Sequence, residues 1–396
     1  MRSGKKAFNI LFIYPNLRGM NMLPPAIALF SRILKDNGFN VAVFDTTYYR
    51  IGEDFDSDKE KEKNLAVRPF DMAKNVVLKS TDPFNDLEKM VDSFKPNLIA
   101  LSATEDIFPL GLQLLKHIDN RNITTIAGGV FATFAPEKVI RNNQIDIVCV
   151  GEGEDALLEL CTKLKNGEDI SSIDNLWVKK EGGGIVRNPI RAVKCLDENP
   201  LPDFSMFEEA RFYRPMAGKV FKMFPVETHR GCPYGCAFCN SPAERRLYAD
   251  AGAGKFFRKK SIENVRKELE FYRDAWRAEY FYFWADTFFA YTDAEFDEFV
   301  EMYRDIRIPF WCQTRPETVT YDRIRKLKDV GLHRMAIGIE HGNERFRKEL
   351  IKRDVKNYTI INAINSIADC SLPAGISVNN IVGFPNETPE LAMDTI

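Results

Sequence analysis

Residues His229-Arg-Gly-Cys-Pro-Tyr-Gly-Cys-Ala-Phe-Cys-Asn240 contain three cysteines, Cys232, Cys236 and Cys239, with the spacing Cys-x3-Cys-x2-Cys. Gly231 and Gly235 allow the backbone to bend between them. The apolar residues 220–226 precede this stretch and predict a strand that leads into the cysteine loop. Three close thiolates can hold three irons of a four-iron cluster and leave the fourth iron open. A zinc site usually takes four protein ligands, often as two cysteine pairs, and the sequence has no second pair.

The composition limits the classes of protein to consider. The chain has 396 residues, 45% of them hydrophobic, which indicates two domains or one large one. A formal net charge of −2 gives no field that would attract nucleic acid or an anionic membrane. Eight cysteines in a chain of this length are not a disulfide framework, and no apolar run reaches about 18 residues. We therefore expect a cytoplasmic protein, which also suits an oxygen-sensitive cluster.

Strands and helices alternate in the first half of the chain. Buried strands are predicted at residues 9–14, 41–44, 97–101, 123–126 and 145–150. Short loops between them and the intervening helices indicate a parallel, doubly wound, Rossmann-like α/β sheet, which binds ligands at the carboxyl ends of its strands. Glycines lie at two of these ends, at Gly128-Gly129 and at Gly151 and Gly153. The charge-rich residues 50–79 are predicted to be an irregular insertion.

A hairpin and a linker separate the two halves. Residues 176–178 and 185–187 are predicted to pair around three glycines, and the proline-broken residues 196–203 form the linker. The domain boundaries that we predict are 7–170 for the first domain, 171–218 for the hairpin and linker, and 219–396 for the second domain.

The second half begins a strand–helix repeat at the cysteine loop. A polar or charged residue lies at or just after the end of each later strand: Asp286, Gln313, Arg315, Glu340 and Asn380. In a parallel barrel these ends point to one mouth, so we expect these side chains to surround one pocket with the three cysteines. The basic residues 245–260 are predicted to form a loop over the cluster.

The cysteine spacing resembles that of the radical S-adenosylmethionine (SAM) enzymes. This resemblance implies that Cys232, Cys236 and Cys239 hold a [4Fe–4S] cluster and that SAM binds its open iron. It further implies SAM contacts from Phe238, Asp286, Gln313, Arg315, Glu340 and Gly383. Gly338-Ile-Glu340 is similar to the family's segment near the ribose, and Val382-Gly-Phe-Pro385 is similar to its turn beside the adenine. The sequence Asp286-Thr-Phe departs from the family's Asp-Asp-x-Phe because Ala285 replaces the first aspartate.

The first half resembles the cobalamin-binding domain that precedes many radical SAM barrels. The residues that carry this likeness are Phe39-Asn-Val41, Ala127-Gly-Gly-Val-Phe-Ala-Thr133 and Val150-Gly-Glu-Gly-Glu154. It implies cobalamin contacts from Ser102, Thr104, Gly128, Gly129, Gly151, Glu152 and Gly153. The sequence contains no Asp-x-His motif, so the resemblance implies cobalamin without an axial histidine from the protein. The alternative is a domain that keeps the fold and has lost the ligand.

Together the two resemblances imply an enzyme of the methyltransferase-like branch. Its cofactors would be a [4Fe–4S] cluster, SAM and cobalamin, and an external donor such as flavodoxin or ferredoxin would supply electrons. Its reaction would methylate an unactivated carbon, or less often phosphorus, of a small molecule or natural-product intermediate. A radical cyclase of the anaerobic porphyrin type and a non-catalytic iron–sulfur or cobalamin-binding protein are the alternatives. The sequence identifies neither the substrate nor a catalytic residue beyond the cofactor contacts.

Only five strand–helix units follow the linker, whereas the family's partial barrel has six. We therefore expect a partial (β/α)6 barrel that is truncated after its fifth strand.

Overall fold

The computed structural model describes residues 7–19, 22–51, 57–65 and 67–396. The chain divides into two compact units. The first contains Met1–Val193 and Asn199–Val220, and the second contains Lys194–Glu198 and Phe221–Ile396. No helix among the described residues is both long enough and apolar enough to cross a membrane.

The first unit contains a central sheet with flanking helices. Its elements are β1 (Asn9–Tyr14), α1 (Pro25–Asp36), β2 (Asn40–Asp45), α2 (Ser57–Lys63), α3 (Pro83–Phe94), β3 (Leu98–Ser102), α4 (Phe108–His117), β4 (Thr124–Gly128), α5 (Val130–Phe134), α6 (Pro136–Ile140), β5 (Ile147–Cys149), α7 (Glu154–Asn166), β6 (Leu176–Lys179), β7 (Ile185–Arg187) and β8 (Tyr213–Met216). The strand order of the sheet is β2-β1-β3-β4-β5-β6-β7. Strands β1 to β5 are parallel, and β6 and β7 are antiparallel. The predicted doubly wound sheet is confirmed, with the predicted hairpin as its edge.

The order of the parallel strands places the predicted ligand edge. Strands β2 and β3 lie on opposite sides of β1, so the connecting helices cover both faces of the sheet. Because both faces are covered, the sequences of the strands are continuously apolar. Ile10, Leu11 and Ile13 of β1 are fully buried. Ser102, at the end of β3, lies directly opposite Gly128, at the end of β4. These two predicted cobalamin contacts therefore lie side by side at the carboxyl edge.

The second unit is a partial barrel. Its elements are β9 (Lys219–Glu227), β10 (His229–Arg230), α8 (Ser241–Asp250), β11 (Arg258–Lys259), α9 (Ile262–Trp276), β12 (Tyr280–Trp284), α10 (Asp293–Tyr303), β13 (Phe310–Thr314), α11 (Tyr321–Val330), β14 (Leu332–Glu340), α12 (Glu344–Glu349), α13 (Asn357–Asp369), β15 (Ile376–Asn380) and α14 (Pro389–Met393). A six-stranded sheet has the order β15-β14-β13-β12-β9-β8, and its strands β9, β12, β13, β14 and β15 are parallel. The predicted partial barrel is confirmed, with five parallel strands.

Aromatic side chains fill the layer between the barrel strands and α10. Phe283 of β12 contacts Phe299 and Tyr303 of α10 and Phe310 of β13, with ring centroids 5.2–6.0 Å apart. All four are buried, and such edge-to-face pairs add to the free energy of burial. Thr292 begins α10 with a capping box in which its side chain and that of Glu295 bond each other's backbone N–H groups. This core fixes the strand ends at which the predicted site lies.

Three predictions about local structure are wrong. Residues 241–250, of which 245–250 were assigned to a basic loop, form helix α8, because Pro242 at the first turn favours a helix start. The insertion between β2 and α3 contains helix α2, in which acidic residues precede lysines and so complement the helix dipole. Residues 130–134 form α5 directly after Gly129, where no helix was predicted.

Candidate functional site

The cysteine loop follows β9 and is held by its own unit. Cys232 and Cys236 are buried, and Cys239 is partly exposed. The backbone N–H of Ala237 donates to the carbonyl of Ile351 at 2.8 Å, which ties the loop to the segment between α12 and α13. Arg245 of α8 donates to the carbonyls of Pro233 and Tyr234 at 2.5 and 2.8 Å. Hydrogen bonds thus hold the loop both between its first two cysteines and between its last two. The contribution of Arg245 was not predicted from the sequence.

Burial perturbs the thiols of Cys232 and Cys239. Burial raises the pKa of Cys239, and the charges of Asp286, Cys232 and Cys236 raise it further. Burial likewise raises the pKa of Cys232, whose Sγ lies 3.4 Å from the hydroxyl of Thr287. In the described part of the chain, no three His, Cys, Asp or Glu side chains are close enough to surround one metal ion.

Arg315, after β13, contacts the cysteine loop directly. Its Nη1 donates to Sγ of Cys236 at 2.8 Å, and its guanidinium lies 3.9 Å from the ring centre of Tyr234. Burial by itself would lower the pKa of Arg315. The Glu317 carboxylate, 2.5 Å away, acts in the opposite direction, so the pKa of Arg315 is raised and its side chain stays charged. Arg315 thus places a positive charge directly beside Cys236.

Glu340, at the end of β14, adopts a left-handed backbone conformation with φ +66°. Such a conformation is strained in a residue other than glycine and is typical of functional sites. Its Oε1 accepts from Nη1 of the buried Arg353 at 2.8 Å. A Cβ atom at Gly338 would lie 2.1 Å from that same oxygen, so only glycine allows Glu340 to fold back over the strand. Burial raises the pKa of Glu340, against the opposing effect of Arg353 and Arg315.

The turn after β15 is fastened to the loop after β14. The Glu387 carboxylate accepts from the backbone N–H groups of Gly383 and Phe384 and lies 3.1 Å from Nε2 of the fully buried His341. The ring of Phe384 lies 6.4 Å, centre to centre, from that of Phe238, which is 42% exposed. The structure thus brings together two predicted SAM contacts, Phe238 and Gly383.

The other predicted residues of the barrel mouth lie on the neighbouring strands. The side chain of Asp286 is exposed, yet desolvation by the surrounding protein raises the pKa of its carboxyl group. The Gln313 amide donates to the carbonyl of Ala285 at 3.3 Å, so it is partly committed to the scaffold. Asn380 is exposed and lies opposite Glu340 in the register of β14 and β15.

The glycine edge of the first unit is a separate candidate site. Gly129 and Gly151 have positive φ values, +103° and +87°. A Cβ atom at Gly129 would lie 3.3 Å from the carbonyl of Ala103, so glycine allows the turn after β4 to approach that after β3. The exposed apolar side chains Val130 and Phe134 of α5 follow this turn. These side chains form an apolar surface. It was not predicted because helix α5 was not predicted.

The remaining predicted contacts of this edge have protein partners. The hydroxyl of Thr104 bonds the Asp106 carboxylate, and the carbonyl of Glu152 accepts from the Asn175 amide at 2.6 Å. A Cβ atom at Gly153 would lie 3.0 Å from the ring of Phe30, so this glycine serves helix packing against the sheet. The residues with open space at the edge are therefore mainly Gly128 and its neighbours.

Comparison with known proteins identifies both units. Residues 70–161 match the family model of the B12 binding domain, and residues 226–396 match that of the Radical SAM superfamily. The chain contains a radical SAM domain and a B12-binding domain. The three cysteines, the glycine edge and the barrel from the end of β9 onward lie within these two matches.

Two curated relatives cover most of the chain. An uncharacterized methyltransferase of Pyrococcus horikoshii is 29% identical over 79% of this chain and 66% of the relative. The anaerobic magnesium-protoporphyrin IX monomethyl ester cyclase of Rubrivivax gelatinosus is 24% identical over 98% of this chain and 64% of the relative. The chain thus spans slightly less than two thirds of each of these relatives.

A solved structure shares the fold of both units. It is that of the cobalamin-dependent SAM radical enzyme OxsB with aqua-cobalamin and SAM bound. The TM-score is 0.71 at 18% identity, over 98% of this chain and 51% of that chain.

The residues of these two domains fit the cofactors that the domains imply. Thiols are the ligands that iron–sulfur clusters take, and the loop supplies three of them. The carboxyl edge of the first unit has glycines where a flat ligand could approach the backbone. The only histidine of this unit's sequence, His117, ends α4 and has its Nε2 3.6 Å from Glu88. It therefore lies at the end of a helix and not at the glycine edge.

Proposed function

We propose that this chain acts in a cobalamin-dependent radical SAM methyltransferase whose target is an unactivated carbon or a phosphorus atom. The substrate would be a small molecule or natural-product intermediate, and a donor such as flavodoxin or ferredoxin would supply electrons. One observation carries the proposal. The three-cysteine loop meets charged residues from neighbouring strand ends at one mouth of a barrel, in a chain that also has a glycine-lined B12 domain edge.

The chemistry of such a site divides between the bound groups and the protein. When bound, the cluster with SAM supplies abstraction of a hydrogen atom, and cobalamin supplies a methyl group. Cys232, Cys236 and Cys239 would hold the cluster through their thiolates. Arg315 donates to Cys236 and places a positive charge beside it. The exposed carboxylate of Asp286 is available to an amino or hydroxyl group at the mouth.

The contacts proposed for SAM are Phe238, Asp286, Gln313, Arg315, Glu340 and Gly383. Those proposed for cobalamin are Ser102, Thr104, Gly128, Gly129, Gly151, Glu152 and Gly153. Two observations support these sets: the ring of Phe238 contacts that of Phe384, the residue after Gly383, and Ser102 lies beside Gly128.

Transfer of a labelled methyl group tests the proposal. The chain would be purified without oxygen, loaded with iron, sulfide and cobalamin, and supplied with SAM that carries a deuterated methyl group and with extracts of candidate substrates. A product heavier by the labelled methyl group is expected. Turnover of SAM with no label in any product would contradict methyl transfer.

A radical cyclase is the second candidate function. The observation in its favour is the Rubrivivax relative, which aligns with nearly the whole chain and carries the name of a porphyrin-ring cyclase. A cyclase would form 5′-deoxyadenosine and a rearranged product without the methyl label. A non-catalytic iron–sulfur or cobalamin carrier would form neither.

A further inference from the structure

A row of alternating charges runs from the cysteine loop to the end of β14. Nη1 of Arg315 lies 2.8 Å from Sγ of Cys236, and its Nε and Nη2 lie 2.5 Å from Oε1 of Glu317. Oε2 of Glu317 lies 3.9 Å from Nη2 of Arg353. Nη1 of Arg353 in turn lies 2.8 Å from Oε1 of Glu340. We call these five residues the charge row.

Arg353 is the best-buried charge of the row. Its side chain is 3% exposed, and its Nη2 also donates to the carbonyl of Gly338 at 2.6 Å. Burial and the nearby Arg315 both lower the pKa of Arg353, and Glu317 and Glu340 oppose them. A buried guanidinium is tolerated only when carboxylates and carbonyls surround it, so Arg353 depends on its neighbours.

The segment that carries Arg353 also contacts the cysteine loop. Ile351, two residues before it, accepts the hydrogen bond from Ala237. Arg347 fixes the other end of the segment through the carbonyls of His341 and Val355. One short stretch therefore touches both the cysteine loop and the end of β14.

We propose that Glu317 and Arg353 are positioning residues that hold Arg315 against Cys236 and Glu340 over Gly338. This inference rests on the proposed function, because it assigns a purpose to Arg315 and Glu340 at the cluster and SAM. Neither Glu317 nor Arg353 stands out in the sequence, since Glu317 lies in the turn after β13 and Arg353 lies in the charged segment between α12 and α13. The row couples the two strand ends electrostatically, so removing a charge at one strand end changes the electrostatic potential at the other.

The row predicts opposite effects on the cluster for its two positioning residues. A reduced cluster carries one more negative charge than an oxidised one, and nearby charges shift its potential accordingly. Glu317→Gln removes a negative charge, so the midpoint potential of the cluster rises. Arg353→Gln removes a positive charge, so the potential falls. Loss of the Arg353 bond also weakens SAM binding by about ten- to a hundredfold, the usual range for a charged hydrogen bond.

Potentiometric titration followed by electron paramagnetic resonance measures these shifts in the reconstituted chain. The matched controls are Glu349→Gln and Arg345→Gln, which break an exposed ion pair of α12 whose side chains are 62% and 83% exposed. Iron content confirms that each variant holds its cluster. Glu317→Asp and Arg353→Lys keep the charge of each residue and are measured in addition if the glutamine variants lose iron. They should restore the iron content and leave the midpoint potential near that of the wild type.

Shifts of opposite sign in the two glutamine variants, with no shift in the controls, support the charge row. Shifts of the same sign, or none at full iron content, would overturn it. The row can also be tested without a cluster, by urea unfolding of both single variants and of the double variant. The row predicts that the double variant loses less than the sum of the single losses, and simple additivity would contradict it. Absence of iron from the wild type would instead count against the proposed function.

Discussion

Gly231 is the residue of the cysteine loop whose backbone least tolerates a side chain. Its φ is +80°, and a Cβ atom would lie 2.8 Å from the ring of Phe256. We expect Gly231→Ala to lower the free energy of unfolding by about 1–3 kcal/mol, through backbone strain and the contact with Phe256. Urea unfolding of the cluster-free chain measures this.

Gly235 provides the matched control in the same loop. It has no positive φ, and a Cβ atom there would meet no atom within 4 Å. Gly235→Ala should therefore change the free energy of unfolding by less than about 1 kcal/mol. Equal losses in the two variants would show that the strain at Gly231 is not what requires glycine.

His229 predicts a dependence of stability on pH. The residue is buried, and burial lowers its pKa to about 3, with a further contribution from Lys259. The folded chain therefore keeps the ring neutral, whereas the unfolded chain takes up a proton below about pH 6.5. Stability is full above that pH and falls as the pH drops towards 3. Between about pH 7.5 and pH 5 the loss from this residue alone is about 2 kcal/mol.

His229→Phe isolates this effect, since it keeps a ring against Phe257 and Tyr291 and removes the titrating group. Urea unfolding at the two pH values should show a smaller loss in the variant than in the wild type. The other groups titrate in both proteins and cancel in the difference. The same loss in both proteins would refute the assignment to His229.

At the scale of elements, α8 acts as a support for the cysteine loop. Arg245 donates to two loop carbonyls, whereas its neighbour Arg246 is exposed. We expect Arg245→Ala to speed hydrogen–deuterium exchange of residues 231–240 by at least about tenfold, since even one lost charged hydrogen bond is worth about 1.5–3 kcal/mol locally. Exchange followed by mass spectrometry measures this. Arg246→Ala is the control, and faster exchange in that variant as well would argue against a specific anchor.

The strands and the cysteine loop could be predicted from sequence because their signals are local. Apolar runs such as residues 145–150 mark parallel strands, and the cysteine spacing marks the loop. Helix α8 was missed because its sequence is charged and only weakly apolar, so its contacts with the loop, including the hydrogen bonds of Arg245, decide its structure.

The charge row could not be predicted because its members are far apart in sequence. Glu317 and Arg353 meet only when β13 and β14 pair and the segment after α12 folds back over them. In the sequence each is one charged residue among many. Arg315 and Glu340 were predicted only because they end strands.

At the scale of the whole molecule, the two proposed cofactor sites lie in different compact units. Loss of one cofactor should therefore leave the other cofactor bound. We expect Gly128→Leu, which adds a side chain at the carboxyl edge of the first unit, to weaken cobalamin binding while iron content is kept. Gly128 has no positive φ, and a Cβ atom there would meet only Cys149, at 3.8 Å, so the backbone is not strained. Visible absorption and iron analysis measure both sites.

Gly128→Ala is the graded control for this prediction and should reduce cobalamin binding less than the leucine variant. The triple variant Cys232→Ala, Cys236→Ala, Cys239→Ala should lose iron and keep cobalamin. Unchanged cobalamin binding in Gly128→Leu would show that cobalamin does not bind at this edge.

Reductive cleavage of SAM tests most directly whether the three-cysteine loop makes this chain a radical SAM catalyst. The reconstituted chain would be reduced with dithionite in the presence of SAM, and 5′-deoxyadenosine would be measured by mass spectrometry. The wild type and Cys195→Ala, which changes an exposed cysteine outside the loop, should form the nucleoside, and Cys236→Ala should form none. No nucleoside from an iron-loaded wild type, or an equal amount from Cys236→Ala, would contradict this account.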